Sequence, residues 1–186
     1  MARLLYCSVK EVWEAGGEYY TTGSWPEFIP SLAAYFDETY LMVPILRATP
    51  DELTKFSKFK DDTKLKFVVA RNTPSRTILP FGSLVNLNTF RNLQKKADVT
   101  LMAIPSSIPY LAYLPFKNKP LIAYVAGDEE EVVGASDRSL LLKPGYIKVA
   151  KQAEKYLLKK SDAVICPNST LEQKLLNKYE LPKRKC

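Results

Sequence analysis

The stretch "KKSDAVICPNST" (159–170) nearly repeats an earlier one, "KKADVTLMAIPSS" (95–107), and together they predict the fold. Each has two lysines, a small residue, an aspartate, an apolar run, and then proline with small polar residues. Because lysines favour the negative C-terminal end of a helix, each segment predicts a helix that ends, turns tightly and leads into a buried strand. Such repeats are typical of chains in which helices and strands alternate.

The rest of the chain keeps this alternation, with apolar runs that predict strands and amphipathic runs that predict helices. The predicted strands are 4–9, 39–46, 65–71, 99–104, 120–127 and 163–167, and the predicted helices are 26–36, 49–59, 84–96, 109–116, 145–160 and 169–179. The remaining segments 14–25, 73–83 and 128–142 are predicted loops. Near-continuous apolar strands predict an α/β, Rossmann-like three-layer sandwich, with a mostly parallel sheet and helices on both faces.

Composition is that of one globular domain. With 186 residues, 46% hydrophobic and 25% charged, we expect a single domain over 3–180, with 181–186 as a tail or the start of an inter-domain linker. No apolar run approaches the roughly 20 residues of a membrane span, and the N-terminus lacks a signal peptide, so we expect a cytoplasmic location.

The formal charge is +7, but the lysines are spread along the chain as on solvated helix faces. Because the basic residues do not alternate with aromatic ones, no nucleic-acid partner is expected. Weak contact with anionic lipids at the cytoplasmic membrane face stays open.

Histidine is absent, which excludes Ser-His-Asp and Cys-His catalysis and most zinc sites. No metal site is predicted, and no catalytic residue can be assigned. The three cysteines are an odd number, and Cys7 and Cys166 lie in apolar runs, so we interpret them as reduced, buried thiols. The segment "EAGGEYYTTG" matches neither G-x-G-x-x-G nor the P-loop pattern, so no dinucleotide or Walker-type phosphate site is predicted.

Ligands of parallel α/β sheets bind outside the carboxyl ends of the strands, where the following loops meet at one edge. The sequence therefore predicts a substrate-binding edge from loop residues far apart in the chain, in which glycine allows close approach and polar side chains bond hydroxyl groups. These residues are Gly16, Gly17, Ser106, Asp128, Glu129, Asn168 and Ser169. Alternatively, Ser106 and Asn168 only cap the helices that follow them, and the carboxylates are merely solvated.

Four segments resemble the N-terminal, acceptor-side domain of glycosyltransferases with the two-domain GT-B fold, in particular the family-four retaining enzymes. They are "AGGEYYTTGSWPEFIPSLAAYF", "ADVTLMAIPSS", "KPLIAYVAGD" and "SDAVICPNSTLEQKLL", and they cover roughly residues 4–180. The last is the most specific. Where the family often has histidine after the fourth strand and before "G", this sequence has Ala103 or Ile104 and Ala126.

The resemblance implies an acceptor-binding half of a hexosyltransferase that takes sugar from a nucleotide-sugar, with retained configuration, no required metal and no cofactor besides the donor substrate. It implies that Gly16 and Gly17 lie against the donor phosphates and that Asp128 and Glu129 bond sugar or inositol-like hydroxyls. The expected partners are a C-terminal donor-binding domain or separate donor-binding subunit, and a sugar or lipid-linked acceptor. Because the chain lacks the donor-binding half, it is expected to be inactive alone.

Two other interpretations stay open. One is a non-catalytic Rossmann-like binding or interaction module. The other is a different sugar- or nucleotide-handling enzyme that uses Asp128, Glu129 or Glu130.

Overall fold

The computed structural model describes residues 2–70, 81–104, 119–127 and 143–181. Its strands are β1 (Arg3–Cys7), β2 (Val12–Ala15), β3 (Glu18–Thr21), β4 (Glu38–Val43), β5 (Ile45–Arg47), β6 (Ser57–Lys58), β7 (Leu65–Val69), β8 (Val99–Ile104), β9 (Leu121–Val125) and β10 (Ala163–Ile165). Its helices are α1 (Trp25–Ala33), a 3-10 helix (Pro50–Lys55), α2 (Phe81–Lys96), α3 (Lys143–Lys160) and α4 (Ser169–Tyr179). The predicted helix 109–116, residues 73–80 of the predicted loop 73–83, the whole predicted loop 128–142 and residues 182–186 of the tail lie outside the described residues. Residues 81–83, predicted as loop, belong to α2.

The main sheet has six parallel strands in the order β7-β4-β1-β8-β9-β10. All six correspond to the strands predicted from the apolar runs, which confirms the parallel α/β fold. In the centre, Leu5 of β1 lies opposite Tyr40 of β4 on one side and Thr100 of β8 on the other. The strand order reverses between β1 and β8, and such a switch point opens a crevice at the carboxyl ends of the strands.

Side chains alternate between the two faces of this sheet and build two cores. Leu5 and Cys7 pack with Phe90 of α2, Leu157 of α3 and Leu175 of α4. On the opposite face, Leu4 and Tyr6 pack with α1 and with a second, smaller sheet. Helices therefore lie on both faces, as predicted, but a sheet that was not predicted completes the second outer layer.

The smaller sheet has the order β5-β2-β3-β6, and its centre is the antiparallel hairpin of β2 and β3. The prediction of a loop over 14–25 is therefore wrong for most of its length. Gly16 and Gly17 form the hairpin turn with φ values of 63° and 84°, which residues with a Cβ rarely adopt. Tyr19 of the hairpin stacks on Phe67 of β7 with ring centroids 3.8 Å apart, which fixes the small sheet against the main one.

Two further predicted elements differ in extent. The predicted strand 39–46 is interrupted at Pro44, so its end becomes β5 of the smaller sheet. The predicted helix 49–59 is only a 3-10 turn followed by β6. Its predicted start is confirmed, because the Glu52 carboxylate accepts bonds from the Thr49 N–H at 2.8 Å and the Thr49 hydroxyl at 2.9 Å.

The repeated segments form the predicted junctions, since α2 ends at Lys96 before β8 and α3 ends at Lys160 before β10. The aspartate in each segment joins the strand it precedes to the neighbouring strand. The Asp98 N–H donates to the Arg3 carbonyl at 2.7 Å, and its carboxylate accepts from the Arg3 N–H at 2.9 Å. Asp162 makes the same two bonds to Leu121, at 2.7 and 2.8 Å. These aspartates lie at the amino ends of the strands, away from the predicted site.

Candidate functional site

The switch point lies where β1 ends beside β8. At the end of β1, the Ser8 N–H donates to the Met42 carbonyl of β4 at 3.1 Å, and the Lys10 N–H donates to the Ser8 hydroxyl at 3.1 Å. The hairpin of β2 and β3 then extends away from this edge, and its end returns close to its start. The Thr21 hydroxyl, at the end of β3, donates to the Glu11 carbonyl, just before β2, at 2.9 Å. The turn that follows Thr21 therefore lies at the carboxyl end of β1.

This turn begins α1. Gly23 has a φ of 70°, and a Cβ at this position would lie 3.6 Å from the Lys10 ammonium nitrogen. That ammonium group is also 5.2 Å from the centroid of the Trp25 ring, at the first residue of the helix. Partial burial lowers the pKa of Lys10. A lysine beside a helix N-terminus combines two sources of positive potential, which suits an anionic ligand group.

Beneath the turn, the Tyr6 ring lies 5.5 Å from the Trp25 ring. The Tyr6 side chain is buried, and its hydroxyl has no hydrogen-bond partner among the residues that the structure describes. Burial, with the nearby Tyr124 and Cys7, raises the pKa of this phenol, so it stays protonated. Tyr6 is therefore a neutral phenol under the start of α1, and its hydroxyl is unbonded within the described part of the chain.

Exposed apolar side chains follow the ends of three strands at this edge. Val9 follows β1, Val69 ends β7 and Ile165 ends β10, with 36%, 55% and 43% of their surface exposed. Their neighbours Cys7 and Val164 are almost completely buried. The carboxyl edge of the sheet, formed by the carboxyl ends of its strands, is thus partly apolar.

Of the predicted site residues, Asn168 and Ser169 lie at the carboxyl edge, directly after β10. The Asn168 side chain accepts a bond from the Leu171 N–H at 2.8 Å, which confirms that it caps α4. Both residues are exposed. A role in substrate binding stays a prediction for them.

Gly16 and Gly17 lie elsewhere. Gly17 lines a cleft of about 300 Å³ together with residues 60–63, which precede β7, and with Leu65 at its start. The expectation that Gly17 shares the carboxyl edge with Asn168 is therefore wrong, because the hairpin folds back toward the amino end of β7. Gly23 takes the position expected of the glycine loop. Its signal in the sequence was a glycine three residues before Pro26, a residue suited to the first turn of a helix.

Ser106, Asp128 and Glu129 lie outside the described residues. The strands that precede them run to the same edge, since the Ala126 N–H after β9 donates to the Ile104 carbonyl at the end of β8 at 2.8 Å.

The described residues contain no group of three or more metal-binding side chains. Cys7 and Cys166 are free thiols, the first buried and the second half-buried. Burial raises the pKa of the Cys7 thiol, so it is not a nucleophile at neutral pH. Within the described ranges no helix is long and apolar enough to span a bilayer.

No known protein family matches the chain, and no curated protein matches it either. Among solved structures, the chain is similar to a glycosyltransferase from Rickettsia africae, with a TM-score of 0.55 and 16% sequence identity. The match covers 99% of this chain and 41% of that protein. The chain therefore has the fold of part of a glycosyltransferase and spans less than half of its length.

Proposed function

We propose that this chain is the acceptor-binding half of a GT-B, family-four-like glycosyltransferase that takes sugar from a nucleotide-sugar. The observation that carries the proposal is the carboxyl edge at the switch point. There Lys10, the Gly23 turn and the start of α1 form a positive site. The exposed apolar side chain of Val9 lies next to Lys10 in the chain, and those of Val69 and Ile165 lie at the ends of the two outermost strands. In a cleft between two domains, the positive site would bind phosphate, and the exposed apolar side chains would contact the surface of the partner domain.

The structural likeness supports this proposal at the level of the fold. The similar glycosyltransferase is more than twice as long, which leaves room for a second domain in that protein. In the proposed complete enzyme, a C-terminal donor-binding domain or a separate subunit faces the carboxyl edge of this chain. We expect this chain to be inactive without it.

The proposed reaction is the attack of an acceptor hydroxyl on the anomeric carbon of the donor, with departure of the nucleoside diphosphate and retained configuration. The resemblance requires neither a metal nor a cofactor for this step. Lys10 and the N-terminus of α1 would face the negative charge of the leaving diphosphate. We transfer to Gly23 the contact with the donor phosphates that the resemblance implies for Gly16 and Gly17, because the Gly23 turn lies at the carboxyl end of β1.

The acceptor would be a sugar or a lipid-linked molecule rich in hydroxyl groups. Asn168 and Ser169 are exposed at the carboxyl edge and offer hydrogen-bond donors and acceptors. A role in acceptor binding for Ser106, Asp128 and Glu129, which follow β8 and β9 in the sequence, stays a prediction. A cytoplasmic location stays a prediction.

Calorimetry with nucleotide-sugars tests the half-enzyme proposal. The 186-residue chain should bind UDP-glucose or GDP-mannose no more tightly than roughly millimolar, and should transfer no sugar, because most donor contacts lie in the other half. Micromolar binding by this chain alone would contradict the proposal. Absence of transfer after addition of a matching donor-binding half would instead favour the non-catalytic binding module.

A further inference from the structure

The solvent-facing charge of α3 has one sign. The helix contains a single acidic residue, Glu154, and its side chain is fully buried. Glu154 accepts a hydrogen bond from the Tyr179 hydroxyl and lies 3.7 Å from the Lys178 ammonium group. The carboxylate is thus directed toward α4 and does not offset the lysines on the outside of α3. Those whose side chains the structure describes are Lys148, Lys151, Lys155, Lys159 and Lys160.

Apolar side chains lie among these lysines. Val149 and Tyr156 are 52% and 42% exposed, and their spacing of seven residues places them two turns apart on one face. They line a groove of about 590 Å³ with Lys148, Gln152 and Ala153. At its end the Lys160 ammonium group lies 5.9 Å from the Tyr156 ring centroid. This pair therefore leaves apolar surface in water.

We propose that this face of α3 docks on an anionic lipid surface. A cationic helix face with apolar and aromatic side chains at its centre is the arrangement of helices that lie in the membrane interface. Tyrosine favours this depth because its ring is apolar and its hydroxyl remains hydrated. The lysines are attracted to anionic headgroups.

An anionic lipid surface can contact both the lysines and the exposed apolar side chains of this face. Nucleic acid would neutralise the lysines, but it would not remove the Val149 side chain from water. The helix is already packed against the sheet through Leu157 and Leu158, which are buried in the core. Docking would therefore need no ordering of the helix. The proposal is independent of sugar transfer, although docking would bring a lipid-linked acceptor to the protein.

Co-sedimentation with vesicles tests the charge. The protein should bind vesicles of phosphatidylcholine with phosphatidylglycerol, should not bind phosphatidylcholine alone, and should dissociate as salt rises. The triple variant K148Q/K155Q/K159Q should lose roughly a hundredfold in partitioning, from about fivefold for each lysine. The control K55Q/K60Q/K64Q removes the same charge at exposed positions elsewhere and should stay within about threefold of the parent.

Two further variants test the apolar contact. V149S/Y156S should keep its melting temperature and lose about tenfold in partitioning. Tyr156→Trp should give additional fluorescence that lipids with brominated acyl chains quench.

Three results would overturn the proposal. The first is an equal loss in both triple variants, because net charge alone would then explain binding. The second is absence of binding to anionic vesicles at low salt, or of quenching in Tyr156→Trp. The third is binding of an oligonucleotide that the α3 triple variant abolishes while no vesicle is bound, which would make the face a nucleic-acid interface.

Discussion

Substitution of Asp162 tests how the repeated segments determine the fold. Its carboxylate accepts from the Leu121 N–H at 2.8 Å, and its own N–H donates to the Leu121 carbonyl at 2.7 Å. Leu121 is 1% exposed, so Asp162→Ala leaves a buried N–H without its acceptor. We expect a loss of about 1–2 kcal/mol in the free energy of unfolding. For a chain of this size the melting temperature should fall by about 2–8 °C.

Asp162→Asn is the matched variant, because its amide oxygen still accepts the bond without the charge. Asp162→Asn should lose about half as much unfolding free energy as Asp162→Ala, since hydrogen bonds to charged groups are roughly twice as strong as those to neutral groups. Asp61→Ala, which removes an exposed carboxylate elsewhere, should change the unfolding free energy by less than about 0.5 kcal/mol. Urea unfolding followed by circular dichroism gives all three values. If Asp162→Ala is as stable as the parent, the aspartate does not join β10 to β9.

Three other changes affect stability through separate mechanisms. Val164→Asp should cost about 3–5 kcal/mol because it buries an unpaired charge, whereas Ile165→Asp, at a half-exposed position, should cost less than about 1 kcal/mol; equal thermal melts would remove β10 from the core. Hydrogen bonds from Lys66 and Tyr40 lower the pKa of Glu38, so its contribution is present above the ordinary glutamate pKa and is lost as pH falls through the lowered one. In urea unfolding, stability should therefore decrease as the pH falls below the ordinary glutamate pKa of 4.5, and this decrease should be smaller in Glu38→Gln; an identical pH dependence of the two proteins would contradict this. Gly17→Ala should lower the unfolding free energy by about 1 kcal/mol, because alanine is strained at a φ of 84°. No steric clash adds to this cost, since no atom lies within 4 Å of the new Cβ, and an unchanged melting temperature would exclude the strain.

The main sheet was predictable because its strands are buried on both faces. Such strands read as continuous apolar runs, and the amphipathic helices between them left few alternatives. The Asn168 cap was predictable for a local reason, since its bond to Leu171 spans only three residues.

The small sheet was missed although its signal was present. Strand-forming residues flank Gly16 and Gly17 in "VWEAGGEYYT", which is the pattern of a two-residue hairpin. The same residues also resemble the glycine loop that follows the first strand in the glycosyltransferase family, and this resemblance favoured a loop over a hairpin. The other two strands of the small sheet are β5, which follows Pro44, and β6, which pairs with β3. Both are too short for their periodicity to distinguish them from loops.

The positive site could not be predicted from local sequence. Lys10 and Trp25 are 15 residues apart, and they meet only because the hairpin leaves and re-enters the carboxyl edge. The exposure of Val69 and Ile165 depends likewise on where each strand ends relative to its neighbours.

Nuclear magnetic resonance titration of the chain with UDP-glucose and GDP-mannose tests the central claim most directly. Weak binding at roughly millimolar concentration should shift the amide signals of Lys10, Gly23 and Trp25 at the carboxyl edge. The amides of Asp98 and Asp162, at the amino ends of their strands, should not shift. Lys10→Gln should remove the changes, whereas Lys64→Gln should preserve them. Shifts confined to the amino ends, or an unchanged response in Lys10→Gln, would contradict a donor-facing site at the switch point.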